Sequence, residues 1–352
     1  MTQMRSPRLL AVGPFPPPVH GQSLATERLV DAFAKGGISV ERVDVSGPLR
    51  RKLMTHVLAL PRILVGHGPC YISLNSNSGI WLSLALLVVA RARQRPALLH
   101  YHSYALVRER SAAVDLLSRL SGSGSKHIVL GQGMAAALSE LYPRLAGRVF
   151  VLNNSGLVDA PASTRQRQPG PRLTLGFLGN LTLEKGIDTA VEAARRLVAA
   201  GQNCTLVVAG PISSPGAEAA LDSARATLGD RLVYKGAVYG SAKAEFFEEI
   251  DILLFPSRYR NEASPLVLME AMANGVPAVA TKLGCIPGDL ADKGGQTVDD
   301  FASDAPAAIS TIASRLDYHS SRARQRFVEL LGEYEVSIAA LLRTLTSSGH
   351  RD

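Results

Sequence analysis

Phe255-Pro-Ser-Arg-Tyr-Arg-Asn-Glu-Ala-Ser-Pro-Leu-Val-Leu-Met-Glu-Ala-Met-Ala-Asn-Gly-Val-Pro-Ala-Val-Ala-Thr281 reads directly as the end of a strand, a loop, a helix and a second strand. Ser264 is a good N-cap, Pro265 suits the first helical position because its missing N–H would be unsatisfied there anyway, and Asn274-Gly275 ends the helix. Glu262 thus falls in the loop just before the helix and Glu270 inside it. Their separation of eight positions assigns them to different parts of one ligand, not to a shared metal or an acid/base dyad. Amides at the start of a helix, here those of Ser264, Pro265 (which has none to give), Leu266 and the next residues, meet the positive end of the helix dipole. They can hold phosphate or sugar oxygens while the two carboxylates accept hydroxyl hydrogens.

Working outward, short β-rich runs alternate with helix-length segments along the whole chain. In the first half they are Arg8–Val12, Ile38–Val43, Cys70–Leu74, Ala97–His102, His127–Leu130 and Val149–Leu152; in the second, Leu173–Leu178, Cys204–Ala209, Arg231–Tyr234, Ile252–Phe255 and Val276–Ala280. This rhythm predicts α/β architecture with parallel, doubly wound sheets. It lapses across a stretch rich in Pro, Ser, Gln and Arg. The expected division is therefore a domain over 1–158, a linker over 159–171, a second domain over 172–320, and helices over 321–352 that are free to cross back to the first. In such sheets ligands bind beyond the carboxyl ends of the strands, and a cleft between two domains is the expected active site. The last apolar-periodic stretch, Arg322–Leu345, predicts a long or broken terminal helix.

Composition narrows the class. With 352 residues, 46% hydrophobic and 19% charged, the chain can bury a large core. Cys70, Cys204 and Cys285 are far apart with no Cys/His cluster, so neither a disulfide framework nor a zinc site is expected. Met1 to Pro7 lacks the features of a secretory signal, and the apolar run Ile80–Ala90 is too short to cross a bilayer and predicts a buried helix; a cytoplasmic location is expected. Charge is unevenly placed: residues 1–170 hold 20 Lys and Arg against 8 Asp and Glu. Such a half is suited to an anionic partner, a membrane surface at the inner face among them, or else simply carries solubilising charge. No nucleic-acid recognition motif is present, and no Gly-x-Gly-x-x-Gly follows the first strand, which excludes a simple NAD-binding reading.

Four further elements sit where ligands are expected. Thr174-Leu-Gly-Phe-Leu-Gly-Asn-Leu-Thr-Leu-Glu-Lys-Gly-Ile187 runs from a strand through a Gly-containing loop into an amphipathic helix, with Lys185 at the helix start. A lysine there opposes the dipole unless an anion sits beside it. Gly13-Pro-Phe-Pro-Pro-Pro-Val-His-Gly-Gln-Ser23 joins the first strand to a helix, and Gly21 could let backbone approach a phosphate. Alternation puts His100 and His102 on one side of a strand, with His102 at its carboxyl end and His100 deeper. Gly210 and Val238 follow the next two strands of the second half.

These residues together resemble the family 4 glycosyltransferases. Glu262 and Glu270 match that family's E-x7-E region, and Gly179, Leu181, Lys185 and Gly186 match its G-R-L-x-x-x-K-G pattern, with Asn180 standing where an Arg is frequent. His20-Gly21 stands where the family's loop often has a Gly pair. The resemblance implies a GT-B fold: two Rossmann-like domains facing across a cleft, the first for acceptor and the second for nucleotide sugar. It also implies retaining hexosyl transfer from a nucleoside-diphosphate sugar to a glycan or lipid-linked acceptor in polysaccharide or cell-envelope glycoconjugate synthesis. Implied catalytic residues are His102, Lys185 and Glu262. Implied donor contacts are Gly21, Asn180, Lys185, Gly210, Val238, Glu262, Ser264, Pro265, Leu266 and Glu270. Lys185 would meet the diphosphate, Glu262 the sugar hydroxyls, Glu270 the ribose, and His102 the sugar or acceptor. No Asp-x-Asp occurs, so no metal and no further cofactor is required. A sugar-nucleotide 2-epimerase or a non-catalytic GT-B partner subunit would use the same fold.

Overall fold

The computed structural model describes residues 7–17, 21–159 and 166–347. The chain divides into two compact units, Met1–Leu157 with Gly332–Asp352, and Val158–Leu331. The first carries β1 (Arg8–Gly13), β2 (Ser39–Asp44), β3 (Cys70–Ser73), β4 (Ala97–His100), β5 (Lys126–Val129) and β6 (Val149–Val151). The second carries β7 (Leu173–Leu178), β8 (Cys204–Ala209), β9 (Leu232–Tyr234), β10 (Ile252–Phe255), β11 (Ala278–Thr281) and β12 (Gly295–Val298). Each set forms one six-stranded sheet, in the orders β2-β1-β3-β4-β5-β6 and β12-β11-β10-β7-β8-β9, and every strand pairing is parallel.

Both sheets are covered on two faces, as parallel sheets must be. Alternation along the strands sorts side chains to opposite sides. Leu175, Phe177, Leu206, Val208 and Leu254 join one core of the second unit, whereas Val207, Ala209, Leu253 and Phe255 join the other. Read from β9, the second sheet has the 3-2-1-4-5-6 order of dinucleotide-binding folds, and its direction of winding reverses between β7 and β10. The first sheet has the other doubly wound order, reversing between β1 and β3.

Three expectations change. The edge strand β12 was not legible, because Gly295-Gln-Thr-Val298 contains a single strongly apolar residue. The terminal helix is unbroken and longer, Leu316–Ser347; Ala323, Phe327 and Leu330 pack into the second unit's core, and Leu341 and Leu345 into the first unit's. The apolar run becomes helix Ile80–Ala92, buried through Leu84, Leu86 and Leu87, yet Trp81 and Val88 face solvent at 55% and 48% exposure.

The expected linker also behaves differently where it can be seen. Residues 160–165 lie outside the described residues, but Arg167 is 1% exposed. Its guanidinium donates to the carbonyls of Ile250 (2.9 Å), Asn274 (2.6 Å), Gly275 (3.1 Å) and Phe247. A planar cation with five N–H groups can satisfy several orphan helix-end carbonyls at once, so this polar stretch is stitched into the second unit.

Candidate functional site

The second sheet's winding reverses where β7 and β10 lie side by side, so the loops after these strands leave in diverging directions and open a crevice. Lys185 comes from the first loop and Glu262 from the second. Lys185 Nζ donates to Glu262 Oε2 at 2.5 Å, with side chains 33% and 12% exposed. Ser257 Oγ donates to the same carboxylate oxygen at 3.2 Å, and the ammonium lies 5.2 Å from the centre of the Tyr259 ring. The anion that a lysine in front of a helix calls for is thus supplied, within the chain, by Glu262.

Glycine makes that meeting possible. Gly186 adopts φ +82° and its α-carbon faces Pro256, where a Cβ would lie 2.1 Å from the carbonyl oxygen. The two loops therefore touch backbone to backbone one residue from Lys185. Thr182 Oγ1 accepts from the Lys185 N–H at 3.1 Å, and the Arg258 guanidinium binds both the Leu183 carbonyl and the Asp188 carboxylate (2.8 and 3.0 Å), tying the β10 loop to the helix Ile187–Ala199.

Glu270 lies inside helix Leu266–Ala273 and is held by Lys243 Nζ, from helix Gly240–Glu249. Burial raises the Glu270 carboxyl above its ordinary value; Lys243 opposes the shift and Asp159 adds to it. The carboxylate is thus poorly hydrated, and hydroxyl donors of a ligand would find little water to displace from it.

The helix start differs from expectation by one residue. Pro265 occupies the cap position with β-region backbone and no capping bond from its own side chain, and the first helical residue is Leu266. The Ser264 hydroxyl donates to Asp289 Oδ2 at 2.8 Å, both residues being buried. That bond uses the hydroxyl's hydrogen and ties the start of this helix to the helix Ile286–Leu290. Asn274 and Gly275, the latter at φ +66°, end the helix as expected.

Gly210 adopts φ +133°, and a Cβ there would lie 1.8 Å from the Gly179 carbonyl oxygen, so the ends of β7 and β8 meet through two glycines. Gly210 N–H donates to the Gly236 carbonyl at 2.7 Å. Asn180 is exposed on that rim, and Val238 and Leu266 are half-buried. Hence Lys185 and Glu262 are in direct contact, whereas Glu270 has a separate lysine partner.

Gly21 and His102 belong to the first unit. Gly21 opens the helix Gly21–Lys35, and a Cβ added there meets nothing within 4 Å; His20 lies outside the described residues. The rings of His100 and His102 lie 3.9 Å apart, on one side of the chain as the alternation requires. His100 is the deeper of the two, hydrogen-bonded through Nδ1 to the Tyr71 hydroxyl at 2.9 Å and held neutral by burial, well below the ordinary imidazole range.

Sequence reasoning missed Lys243, Ser257, Tyr259 and Asp289. Lys243 sits on an amphipathic helix like any solvated lysine, and its partner is 27 positions away, a pairing that no local pattern encodes. Ser257 and Tyr259 lie inside the quoted loop and could have been found by asking which side chains flank Glu262.

Two six-stranded, doubly wound parallel sheets, one in each unit, are the architecture of the GT-B class of proteins. Residues 162–325 match the family model of glycosyl transferases group 1. The chain is 28% identical over 188 residues to a GDP-mannose-dependent alpha-(1-6)-phosphatidylinositol dimannoside mannosyltransferase of Mycobacterium tuberculosis, which covers 52% of this chain and 47% of that one. It is 32% identical over 196 residues to a D-inositol 3-phosphate glycosyltransferase of Stackebrandtia nassauensis, covering 49% and 44%. The matched part is thus less than half the length of these relatives. Among solved structures, Anabaena HepE in complex with UDP-glucose superposes with a TM-score of 0.68 at 17% identity over 96% of this chain and all of that one.

Proposed function

We propose that this protein is a retaining glycosyltransferase that moves a hexosyl group from a nucleoside-diphosphate sugar to a glycan or lipid-linked acceptor. The observation that carries the reading is the Lys185–Glu262 pair at the winding reversal of the second sheet. A lysine and a carboxylate in contact, each still partly accessible, form a site that a ligand with both anionic and hydroxyl groups can enter by exchange. The donor diphosphate takes Lys185, and the released Glu262 accepts hydrogen bonds from sugar hydroxyls. Relatives named for GDP-mannose and solved with UDP-glucose support a nucleotide sugar as that ligand.

In this reading Glu270 accepts the ribose hydroxyls, and the start of helix Leu266–Ala273 turns the positive end of its dipole to phosphate or sugar oxygens. Asn180 supplies a neutral hydrogen bond where a second cation would otherwise stand, so Lys185 and backbone amides carry the diphosphate charge. Chemistry needs no carboxylate nucleophile: the leaving diphosphate takes the acceptor's proton on the face from which it departs, and positive charge at Lys185 stabilises it. His102 orients sugar or acceptor. No divalent ion is needed for these steps. The role in polysaccharide or cell-envelope glycoconjugate synthesis, at the cytoplasmic side of a membrane, belongs to the same proposal.

Thermal stabilisation by a panel of UDP, GDP, ADP, dTDP and CMP nucleotides and their sugars tests the donor site. One diphosphate should raise Tm selectively, and the shift should vanish in Lys185→Ala and Glu270→Ala. No shift with any member of the panel would remove the basis of the proposal. With an acceptor present, nucleoside diphosphate should be released in step with glycosylated product; conversion of free donor without release would identify an epimerase instead.

A further inference from the structure

The helix Leu49–Val65 has two apolar faces, and only one of them is covered. At about 100° per residue, His56, Ala59 and Ile63 share the arc that packs on the first unit, each 4% exposed or less. On the far side, Leu53, Met54, Val57, Leu58, Leu64 and Val65 fall within an arc of about 140°, and their exposures run from 45% to 75%. The neighbouring helix Ile80–Ala92 adds Trp81 and Val88, exposed and one heptad apart on the same face. Scattered exposed leucines are ordinary, but a contiguous set on one helix with a tryptophan beside it is not.

Charge identifies what covers this face. No Asp or Glu occurs from residue 45 to residue 108, whereas eight Lys and Arg do. Arg50, Arg51 and Lys52 stand at the start of the helix, Arg62 near its end, and Arg91 and Arg93 at the end of the neighbouring one. Arg51 and Arg62 reach Asp44 and Glu41, both outside that acid-free segment, through ion pairs of 3.3 and 3.2 Å that are largely exposed. We propose that this helix lies in the interface of an anionic phospholipid bilayer, its exposed leucines and valines among the upper acyl chains and its arginines on the lipid phosphates. The pattern is that of an in-plane amphipathic helix, and among the described residues no helix is long and apolar enough to cross a membrane. A second copy of the chain fits less well, because face-to-face docking would set two net cationic surfaces against each other. The inference deepens the proposed membrane-side function but does not rest on the transfer reaction, since the surface and the donor site share no residue.

Trp81 is the chain's single tryptophan, so intrinsic fluorescence reports directly on this surface. With the full chain and vesicles of phosphatidylcholine containing phosphatidylglycerol, Trp81 emission should shift to the blue, brominated acyl chains should quench it, and protein should float with the vesicles; neutral vesicles should do none of this. Leu53→Ser/Val57→Ser/Leu58→Ser, all at exposed positions, should abolish flotation without lowering Tm. Arg50→Gln/Arg51→Gln/Lys52→Gln should weaken partitioning by roughly a hundredfold, three surface cations' worth of attraction. Absence of a Trp81 shift and of flotation at low salt would overturn the proposal. So would a concentration-dependent burial of Trp81 without lipid, which would make the face a protein interface. Donor-induced Tm shifts should persist in both variants, so failure of the vesicle experiment leaves the donor site standing, and failure of the donor panel leaves the lipid surface standing.

Discussion

Gly186 shows how one missing side chain places the charged pair. Its φ of +82° and the 2.1 Å approach of a hypothetical Cβ to the Pro256 carbonyl make alanine doubly unfavourable there. Gly201 has nearly the same φ, +84°, but open space around it. Gly201→Ala should therefore cost only the left-handed penalty, about 1 kcal/mol, while Gly186→Ala should cost about 3 kcal/mol or more as the clash adds to it. Urea unfolding of the two variants measures the difference, and equal costs would mean that the loop contact is dispensable. Gly186→Ala should also weaken the donor-induced Tm shift, because it drives the Lys185 loop from the Glu262 loop. Gly186, Lys185 and Glu262 were all marked by motifs; that Lys185 meets Glu262 was not, since 77 positions separate them.

At the scale of elements, Arg167 does what a linker residue would not. It collects the carbonyls that end helix Leu266–Ala273, at Asn274 and Gly275, and those near the end of helix Gly240–Glu249, at Phe247 and Ile250. Helix ends leave four carbonyls without intrahelical partners, and burying them unsatisfied is costly. Arg167→Met keeps much of the bulk and removes the donors, so it should destabilise by about 3 kcal/mol or more. Arg167→Lys should rescue little, because an ammonium cannot reach four carbonyls in one plane. Denaturant midpoints of both variants decide the point. Composition marked this stretch as a loop, and nothing local distinguishes a buried arginine from a solvated one.

Across the whole molecule, acid should act on the two units differently. His127 in β5 is buried between the Tyr101 hydroxyl (2.8 Å) and the Ser121 hydroxyl (3.0 Å), and burial, with help from Arg148, lowers it from 6.5 to about 3. Burial also lowers His56 and His100 in the same unit. A folded-state value below the unfolded one gives stability that is present above pH 6.5 and is lost as pH falls towards 3. In the second unit Glu270 is shifted upward, so its contribution is present at low pH and is lost as pH rises. From pH 6.5 to about 4.5, where most carboxylates remain ionised, the first unit, with three such histidines, should weaken more than the second, where His319 alone is lowered by burial and Glu270 opposes it. Hydrogen exchange, corrected for intrinsic rates, should accelerate in β4 and β5 over this range while β7 and β10 stay protected; parallel acceleration in both would contradict the assignment.

Strand and helix rhythm determined eleven of the twelve strands and the α/β class, because short continuous apolar runs are a strong and local mark of a parallel sheet buried on both faces; the GT-B fold was implied by the resemblance of the motifs to family 4. Chemistry-bearing spacing determined Lys185, Glu262 and Glu270 as the residues to watch. Only the tertiary structure decided that Lys185 and Glu262 neutralise each other, that Glu270 is held by Lys243, and that the Ser264 hydroxyl donates to Asp289. It alone left one apolar face of helix Leu49–Val65 in solvent. These outcomes depend on which distant acceptor, donor or surface arrives beside a side chain, and that is fixed by the order of the strands and the burial they impose, not by the residue's neighbours in the chain.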